Sequence, residues 1–405
     1  MNIFSNILNR ISPKEAETRS NTVTFDGVLG ALWNGKTKSG ANVNYKSAMT
    51  TSAIFACINI ISETIASLPL NVYQKSDKST EINKNHKLSQ LISAAPNDLQ
   101  TRFVFWQTMV SNVLGTGNAY ARIHRDKSYI PSYLEPLDSS EVETSFDFSK
   151  NKIAYKTDGK IIKSEDMIHI QDLTFDGVNG ISRITYHRET IGIGLTELDF
   201  QASFLGNGAN VSGVLENPGV LNDEAYKRQA KSWRSTYEGS DNSGKTAILE
   251  GGTTYKQMGI KPIDAQFLEQ RKFTVEEIAR IYRVPLHLLQ DLSRSTNNNI
   301  EHQSIDFVTH TIRPWVKRIE AELDRKLFTE VEKRSNNVFT RFNLDALLRG
   351  DVKSRSEFYR SLYNTSSISP NEIRQYEGLN PYDGGDEYFV QGSMQPVKNA
   401  GNEDK

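Results

Sequence analysis

The run from Gly239 to Thr246, Gly-Ser-Asp-Asn-Ser-Gly-Lys-Thr, has the spacing of a phosphate-cradling loop. In that chemistry backbone N–H groups wrap the phosphates, Lys245 would neutralise them and Thr246 would meet magnesium. It requires a buried strand before the loop and a helix after it, because the helix N-terminus helps hold the phosphates. Here helical periodicity precedes and strand-like alternation follows, and no apolar strand ending in Asp lies suitably downstream. The run therefore reads as a Gly/Ser/Asn turn, and an NTP-binding enzyme using Lys245 is the alternative. Other catalytic signals are missing. His302 and His310 stand eight apart, and the remaining histidines are scattered, so no metal-ligand spacing arises. Asp138, Asp172 and Asp176 do not follow a calcium-loop pattern, and no Ser or Cys occupies a nucleophile elbow. Asp345 and Asp351 read as turn and cap residues rather than an acid/base pair. The residues predict no catalytic group, no metal and no cofactor.

A second polar segment, Ser293, Arg294, Ser295, Thr296, Asn297, Asn298 and Asn299, lies between two strong helical patterns and carries one charge. By itself it reads as a solvent-exposed linker. The mixed charges at 320–326 and 330–334 read as a solvated helix face. Across all 405 residues, 48 Lys plus Arg against 49 Asp plus Glu leave a net charge of −1. Global attraction to a polyanion is thereby excluded, so any nucleic-acid contact is local or weak. The single cysteine, Cys57, rules out an internal disulfide framework and a cysteine-based zinc site. The most apolar stretch, Ala53 to Val72, is broken by Asn59, Ser62, Glu63 and Pro69, so no bilayer span is expected. Without a secretory pattern at the start, the chain is expected in the cytoplasm.

The elements that hold these segments follow from periodicity. Residues up to about Asn44 read as a poorly ordered arm. Ile54, Ile58, Ile61 and Ile65 recur at three and four, predicting a helix closed by Pro69 and followed by a strand at Leu70 to Gln74. A helix over Arg102 to Leu114 stops at Gly115 and Gly117. Strands are expected at Asn118 to His124, Tyr133 to Thr144, Lys152 to Thr157 and Met167 to Gln171. Ile184, His187, Ile191, Leu195, Leu198, Ala202 and Leu205 then form one stripe, a strut of about 37 Å. Gly192 and Gly194 inside it predict close packing or a bend. Asn222 caps a short helix ending near Gly239, and strands at Thr246 to Glu250 and Thr254 to Ile260 are expected to join at Gly251 and Gly252. A second strut runs from Asp264 to Tyr282. The helix carrying Ile305, Val308, Ile312, Trp315, Ile319 and Leu323 holds Pro314 in its middle, which predicts a kink. A helix at Ser354 to Tyr363 and a capped start at Ser369-Pro370 follow. The fold class is α+β.

The order of segments resembles the portal proteins of long-tailed, lambdoid-type phages, from about Tyr45 to Glu387. The resemblance rests on Ser52 to Cys57 running into Glu63 to Leu70, then Gly117 to Ala121 and Leu134 to Asp138. It continues through Phe204 to Gly208, Ser212 to Glu216 and Ala247 to Gly252. The strongest pieces are Asp264 to Phe273 leading into Glu276 to Tyr282, followed by Arg313-Pro-Trp315 and Phe342 to Arg349. It implies a portal fold with wing, helical stem, α/β clip and C-terminal crown, closing as a ring, typically of twelve. The implied divisions are an arm (1–44), a first wing part (45–180), stem helices (181–207 and 263–285) around a clip (208–262), a tunnel loop with kinked wing helix (286–349), a crown (350–390) and a tail (391–405). Ser293 to Asn299 become the tunnel loop facing double-stranded DNA, without sequence specificity. The implied partners are further copies of the chain, the terminase large subunit, the major capsid protein or scaffold, and a head–tail adaptor, with no membrane. The implied location is the portal vertex of the virion, and the host cytoplasm during assembly. Two departures stand out: Arg283 occupies the place of a helix-ending Gly before Val284-Pro285, and the polar run lacks an aromatic residue.

Overall fold

The isoleucine stripe forms a buried helix, and much of the rest is arranged around it. The structure, a computed structural model, describes residues 37–76, 79–147, 152–206, 213–237, 249, 251–257, 264–291, 297–335, 337–344, 347, 352–377 and 379–389. After a short α1 (Tyr45–Met49), α2 (Ser52–Ser67) buries Ile54, Ile58, Ile61 and Ile65 completely or nearly so. It ends where Leu68 turns extended before Pro69, as the residue preceding a proline favours. The chain continues as β1 (Leu70–Lys75), β2 (Thr80–Ile82) and α3 (Ser89–Ser93). Thr101 caps α4 (Arg102–Thr116) through the Val104 N–H, and Gly117 ends it in the left-handed region at φ 87°.

Next come β3 (Asn118–Arg125), β4 (Pro131–Leu137), β5 (Glu143–Asp147), β6 (Lys152–Thr157), β7 (Lys160–Ile162) and β8 (Met167–Gln171). The strand expected over Tyr133 to Thr144 is two strands in different sheets: Leu134 pairs with Ile123, whereas Thr144 pairs with Tyr155. A turn at Asp138, whose carboxylate holds the Ser140 N–H and hydroxyl, makes the break.

The first strut is also divided. A four-residue α5 (Arg183–Tyr186) stops at His187 (φ −101°, ψ 23°), and α6 (Arg188–Gly206) continues beyond it. Beyond it lie β9 (Gly213–Glu216), α7 (Asp223–Tyr237), β10 (Thr254–Gln257) and α8 (Asp264–Tyr282). The pairing partner of β10 is β9; residues 246–248 and Glu250, expected as its neighbour, lie outside the described residues. α9 (Asn297–Phe307) runs into a π-helical segment, Val308–Ile312, and then into α10 (Arg313–Leu327) with Pro314 in its first turn. α11 (Glu330–Ser335), β11 (Val338–Phe342), α12 (Val352–Asn364) and α13 (Pro370–Tyr376) complete the described chain. Ser369 and Glu372 form a reciprocal capping box on α13.

Among the described residues antiparallel pairing gives four small sheets, ordered β11-β1-β2, β4-β3-β8, β5-β6-β7 and β9-β10. In the first, Leu70 stands opposite Phe342, so the beginning and end of the main body close on one another. The core lies between α2, α4 and α10, where Phe105, Trp106 and Phe342 meet edge to face. Full burial of such a side chain contributes about 1.5–3 kcal/mol.

The charged face of α10 departs from the solvated surface expected of it. Glu320, Glu322 and Lys326 are buried. Glu320 accepts from the Phe342 N–H (2.8 Å) and Glu322 from the His169 N–H (3.1 Å), while Lys326 donates to Ser164. Asp324 accepts both the N–H and the hydroxyl of Thr340 at 2.7 Å. The helix thus uses its charges to hold the outer edges of β8 and β11, whose backbone donors would otherwise be buried unpaired.

Candidate functional site

The α6/α8 pair is built for protrusion. On α6, Ile184 and Ile191 upstream and within its first turns are buried and Leu195 packs on the core, but Leu198 and Ala202 are exposed. On α8, Ile278, Ala279 and Tyr282 are buried whereas 269–273 are exposed. Each apolar stripe therefore seats only the base of its helix in the body. Arg183 contacts the Ile281 carbonyl (3.1 Å), and further along Glu197 accepts from Thr274 (3.1 Å). Rising numbers on one helix meet falling numbers on the other, so the pair is antiparallel. Both glycines of the strut serve close packing. A Cβ on Gly194 would stand 2.8 Å from Thr274 Cγ2, and one on Gly192 would stand 2.8 Å from Thr37 Cγ2. Thr37 is itself buried, and the Lys38 N–H reaches Glu189. Residues 37–39 of the expected arm thus lie against α6 rather than free of it, because Gly192 leaves room for them.

Between α6 and α8 in sequence lies a small unit. β9 and β10 pair, Trp233 of α7 stacks on Tyr255 at 5.4 Å, and Thr253 bridges Asn217 and Gln229. Asn222 caps α7 through the Ala225 N–H, as its sequence position predicts. The loop-like run containing Lys245 lies outside the described residues, and the nucleotide-binding alternative has no support. Among the described residues, no group of three or more His, Cys, Asp or Glu could hold a metal, and no helix is long and apolar enough to cross a membrane.

The base of the pair is fixed by a charge cluster that periodicity does not reveal. The Asp172 carboxylate is bound by Arg183 at 2.5 and 3.1 Å and by Arg318 at 3.3 Å. Both guanidinium groups also lie over the Trp315 ring, at 5.5 and 4.8 Å from its centroid, and Arg183 covers the Tyr282 ring as well. Four elements meet here: the end of β8, α5, α8 and α10. Close by, the backbones of Gly117 and Gly180 touch. Asp172 N donates to the Gly117 carbonyl (2.9 Å), and Asn118 holds both the N–H and the carbonyl of Gly180. Gly117 has no space for a side chain, since a Cβ would stand 2.5 Å from the Ile181 carbonyl carbon. The sequence signal was slight: Asp172 is one of several aspartates, and its partners lie 11 and 146 residues away.

Behind the cluster His169 is buried between Tyr155 and Asn118. Its Nδ1 accepts from the Tyr155 hydroxyl (3.2 Å) and its Nε2–H donates to Asn118 Oδ1 (3.0 Å). Asn118 donates its amide to Gly180, which fixes that direction. Burial first, and then the nearby Lys326 and Arg325 charges, push its pKa down to about 3.

The polar segment sits just past the base of α8. Arg283 takes the left-handed conformation (φ 58°) that the missing glycine would have adopted freely, at a cost of about 1 kcal/mol. Its carbonyl is held by the Thr311 hydroxyl at 2.6 Å. Ser293 to Thr296 lie outside the described residues, while Asn297, Asn298 and Asn299 form the first residues of α9. The apolar stripe of this region is buried from Val308 onwards, but Ile305 is 46% exposed, so α9 leaves the core towards the polar run. His287, in a turn after α8, contacts Gln303 (2.9 Å) and Ser304 (3.3 Å) and ties the two sides of that run together.

The described chain thus has a core, an antiparallel helix pair seated in it by its base, a small unit between those two helices in sequence, and His287 beside the polar run. The phage portal protein family model matches residues 52–378. The probable portal protein of Streptomyces phage phiC31 is 32% identical over 399 residues, covering 92% of this chain and 86% of that protein. The portal protein of Enterobacteria phage HK97 is 28% identical over 367 residues, covering 89% and 86%. In fold, the chain matches an HK97-family phage portal protein from Corynebacterium diphtheriae (TM-score 0.57, 17% identity, 75% and 96% covered). It also matches a chain in the neck of a native gene transfer agent particle determined with twelvefold symmetry (TM-score 0.58, 20% identity, 90% and 97% covered). Since the family match takes in the core, both protruding helices, the charge cluster and the polar run alike, the chain belongs to the phage portal protein family.

Proposed function

We propose that copies of this portal subunit close into a ring at one capsid vertex, through whose axial channel double-stranded DNA is packaged and later ejected. The observation that carries the reading is the continuous family match over 52–378, joined to an antiparallel α6/α8 pair seated in the body by its base, with the small β9/α7/β10 unit between its two helices in sequence. The twelvefold neck to which the chain is similar supports twelve copies. On this reading α6 and α8 are the stem, the β9/α7/β10 unit is the clip, the other sheets and α10 form the wing, and α12 with α13 belongs to the crown. The clip meets the terminase large subunit during filling and a head–tail adaptor afterwards, and the wing meets the major capsid protein or scaffold. Assembly takes place in the host cytoplasm. The protein acts as a structural channel, and ATP hydrolysis belongs to the separate motor.

Ser293 to Asn299 act as the tunnel loop. Amides and hydroxyls bond phosphates in any register without the ionic attachment that would stall a sliding duplex. Electron microscopy of the purified protein, classified without imposed symmetry, tests the proposal. Closed rings with an axial hole wide enough for a duplex are expected; monomers or closed dimers at every salt concentration would overturn it.

A further inference from the structure

The stem pair carries opposite charges on its two outer edges, at nearly one height. Gly194 and Thr274 mark the line where α6 and α8 meet. With about 100° of rotation per helical residue, Asp199 lies roughly 140° round α6 from that line and Lys272 roughly 160° round α8. Both are exposed. They therefore point away from each other across the two-helix layer, one at each edge. Counting from the Glu197–Thr274 hydrogen bond, both lie farther from the body, within roughly 5 Å of the same height at about 1.5 Å per residue.

Ring symmetry gives this placement its meaning. Rotation about the ring axis preserves height, and a ring contact is heterologous, so one edge of a copy meets the other edge of the next. A matched pair must then sit level on opposite edges. The edges also differ in composition. At that level the outer edge of α6 presents Asp199 and that of α8 presents Lys272, with Glu269 and Glu276 about one turn to either side of Lys272. Ser203, one turn beyond Asp199 and also exposed, is small enough to admit a neighbouring helix.

We propose that Asp199 of one copy pairs with Lys272 of the next, setting the register of adjacent stems; this rests on the ring reading. An exposed ion pair contributes little beside its contact surroundings, so the pair selects alignment.

Cross-linking tests the geometry directly. In the full chain carrying Asp199→Cys and Lys272→Cys, oxidation or a short bis-thiol reagent should give a ladder of covalent oligomers. Each single variant should give none. The native Cys57 is buried and stays silent. A bond within one chain is excluded, since the two edges of a helix pair lie well beyond the roughly 7 Å Cα limit of a disulfide. Charge reversal provides the second reading: Asp199→Lys should lower the ring fraction at low salt roughly threefold or more, and adding Lys272→Asp should restore it. Intact rings without a ladder, or without that rescue, would overturn the pairing and leave the ring reading standing. Absence of rings from the wild-type chain would overturn both.

Discussion

At the scale of single residues, Asp172 is the point on which the stem's attachment depends. Its side chain is 4% exposed and it neutralises Arg183, itself largely buried, while Arg318 is 42% exposed. Asp172→Ala leaves the Arg183 charge unpaired, and an unpaired buried charge costs about 3–5 kcal/mol. Arg318→Ala removes a partly solvated partner and should cost about 1 kcal/mol. Urea denaturation at fixed protein concentration should show that ranking; equal costs would contradict it. His169 makes a separate prediction. Its folded pKa of about 3 lies below the ordinary 6.5. Above pH 6.5 neither state is charged and stability is complete. As the pH falls below that value the unfolded chain takes up a proton that the native chain refuses, so stability drops by about 1.4 kcal/mol per pH unit towards about pH 3. Burial of Glu322 raises its pKa and acts in the opposite sense, adding stability at low pH that is lost as pH rises through the raised value. Comparing wild type with His169→Gln isolates the histidine: the variant's stability should be flatter between about pH 6.5 and about pH 4, read from urea midpoints at each pH.

At the scale of elements, Gly194 shows how packing outweighs propensity. Alanine in mid-helix is favoured over glycine by about 1 kcal/mol, yet a Cβ here would press on Thr274 Cγ2 at 2.8 Å. Gly194→Ala should therefore destabilise by about 1–2 kcal/mol. In a Thr274→Ser background the methyl is absent and the hydroxyl bond to Glu197 is retained, so the same change should stabilise by up to about 1 kcal/mol. A double-mutant cycle by thermal unfolding checks the sign change. A related balance operates between α9 and α10. Pro314 supplies no N–H and its ring crowds the preceding turn, and the chain widens to a π-helical segment over Val308–Ile312 before α10 begins. Thr311, within that segment, holds the strained Arg283, so the exit from α8 and the entry to α10 are stabilised together.

At the scale of the whole molecule, near neutrality and a channel for a polyanion are compatible. Strong positive charge along a tunnel would hold DNA in place; on the proposed reading, a net charge of −1 over 405 residues with a single charge between Ser293 and Asn299 permits passage. Lysine substituted at Asn297, Asn298 and Asn299 should slow packaging and make its rate depend on salt. Single-particle packaging measured at two ionic strengths reads this directly. Unchanged speed and salt response would separate these residues from DNA contact.

Much of this architecture was legible because its causes are local. Ile54, Ile58, Ile61 and Ile65 specify α2 through spacing alone, and Asn222 and Ser369 mark helix starts because a cap acts within about three residues. The protruding helices were visible as long stripes, and the family resemblance followed from colinear segments. What stayed hidden depends on distant partners. Nothing near Leu70 indicates that Phe342 will lie opposite it, and nothing near Asp172 points to Arg318. Glu320, Glu322 and Lys326 look like solvated charges until β8 and β11 bring backbone donors and acceptors to them. The sequence by itself determined which segments are helices, where they are capped, and that the chain lacks the charge for tight DNA binding. Only the tertiary structure decided which charges are buried, why Gly192 and Gly194 occur in a helix, and which edges of the stem remain exposed, because those properties arise from contacts between residues far apart in the chain.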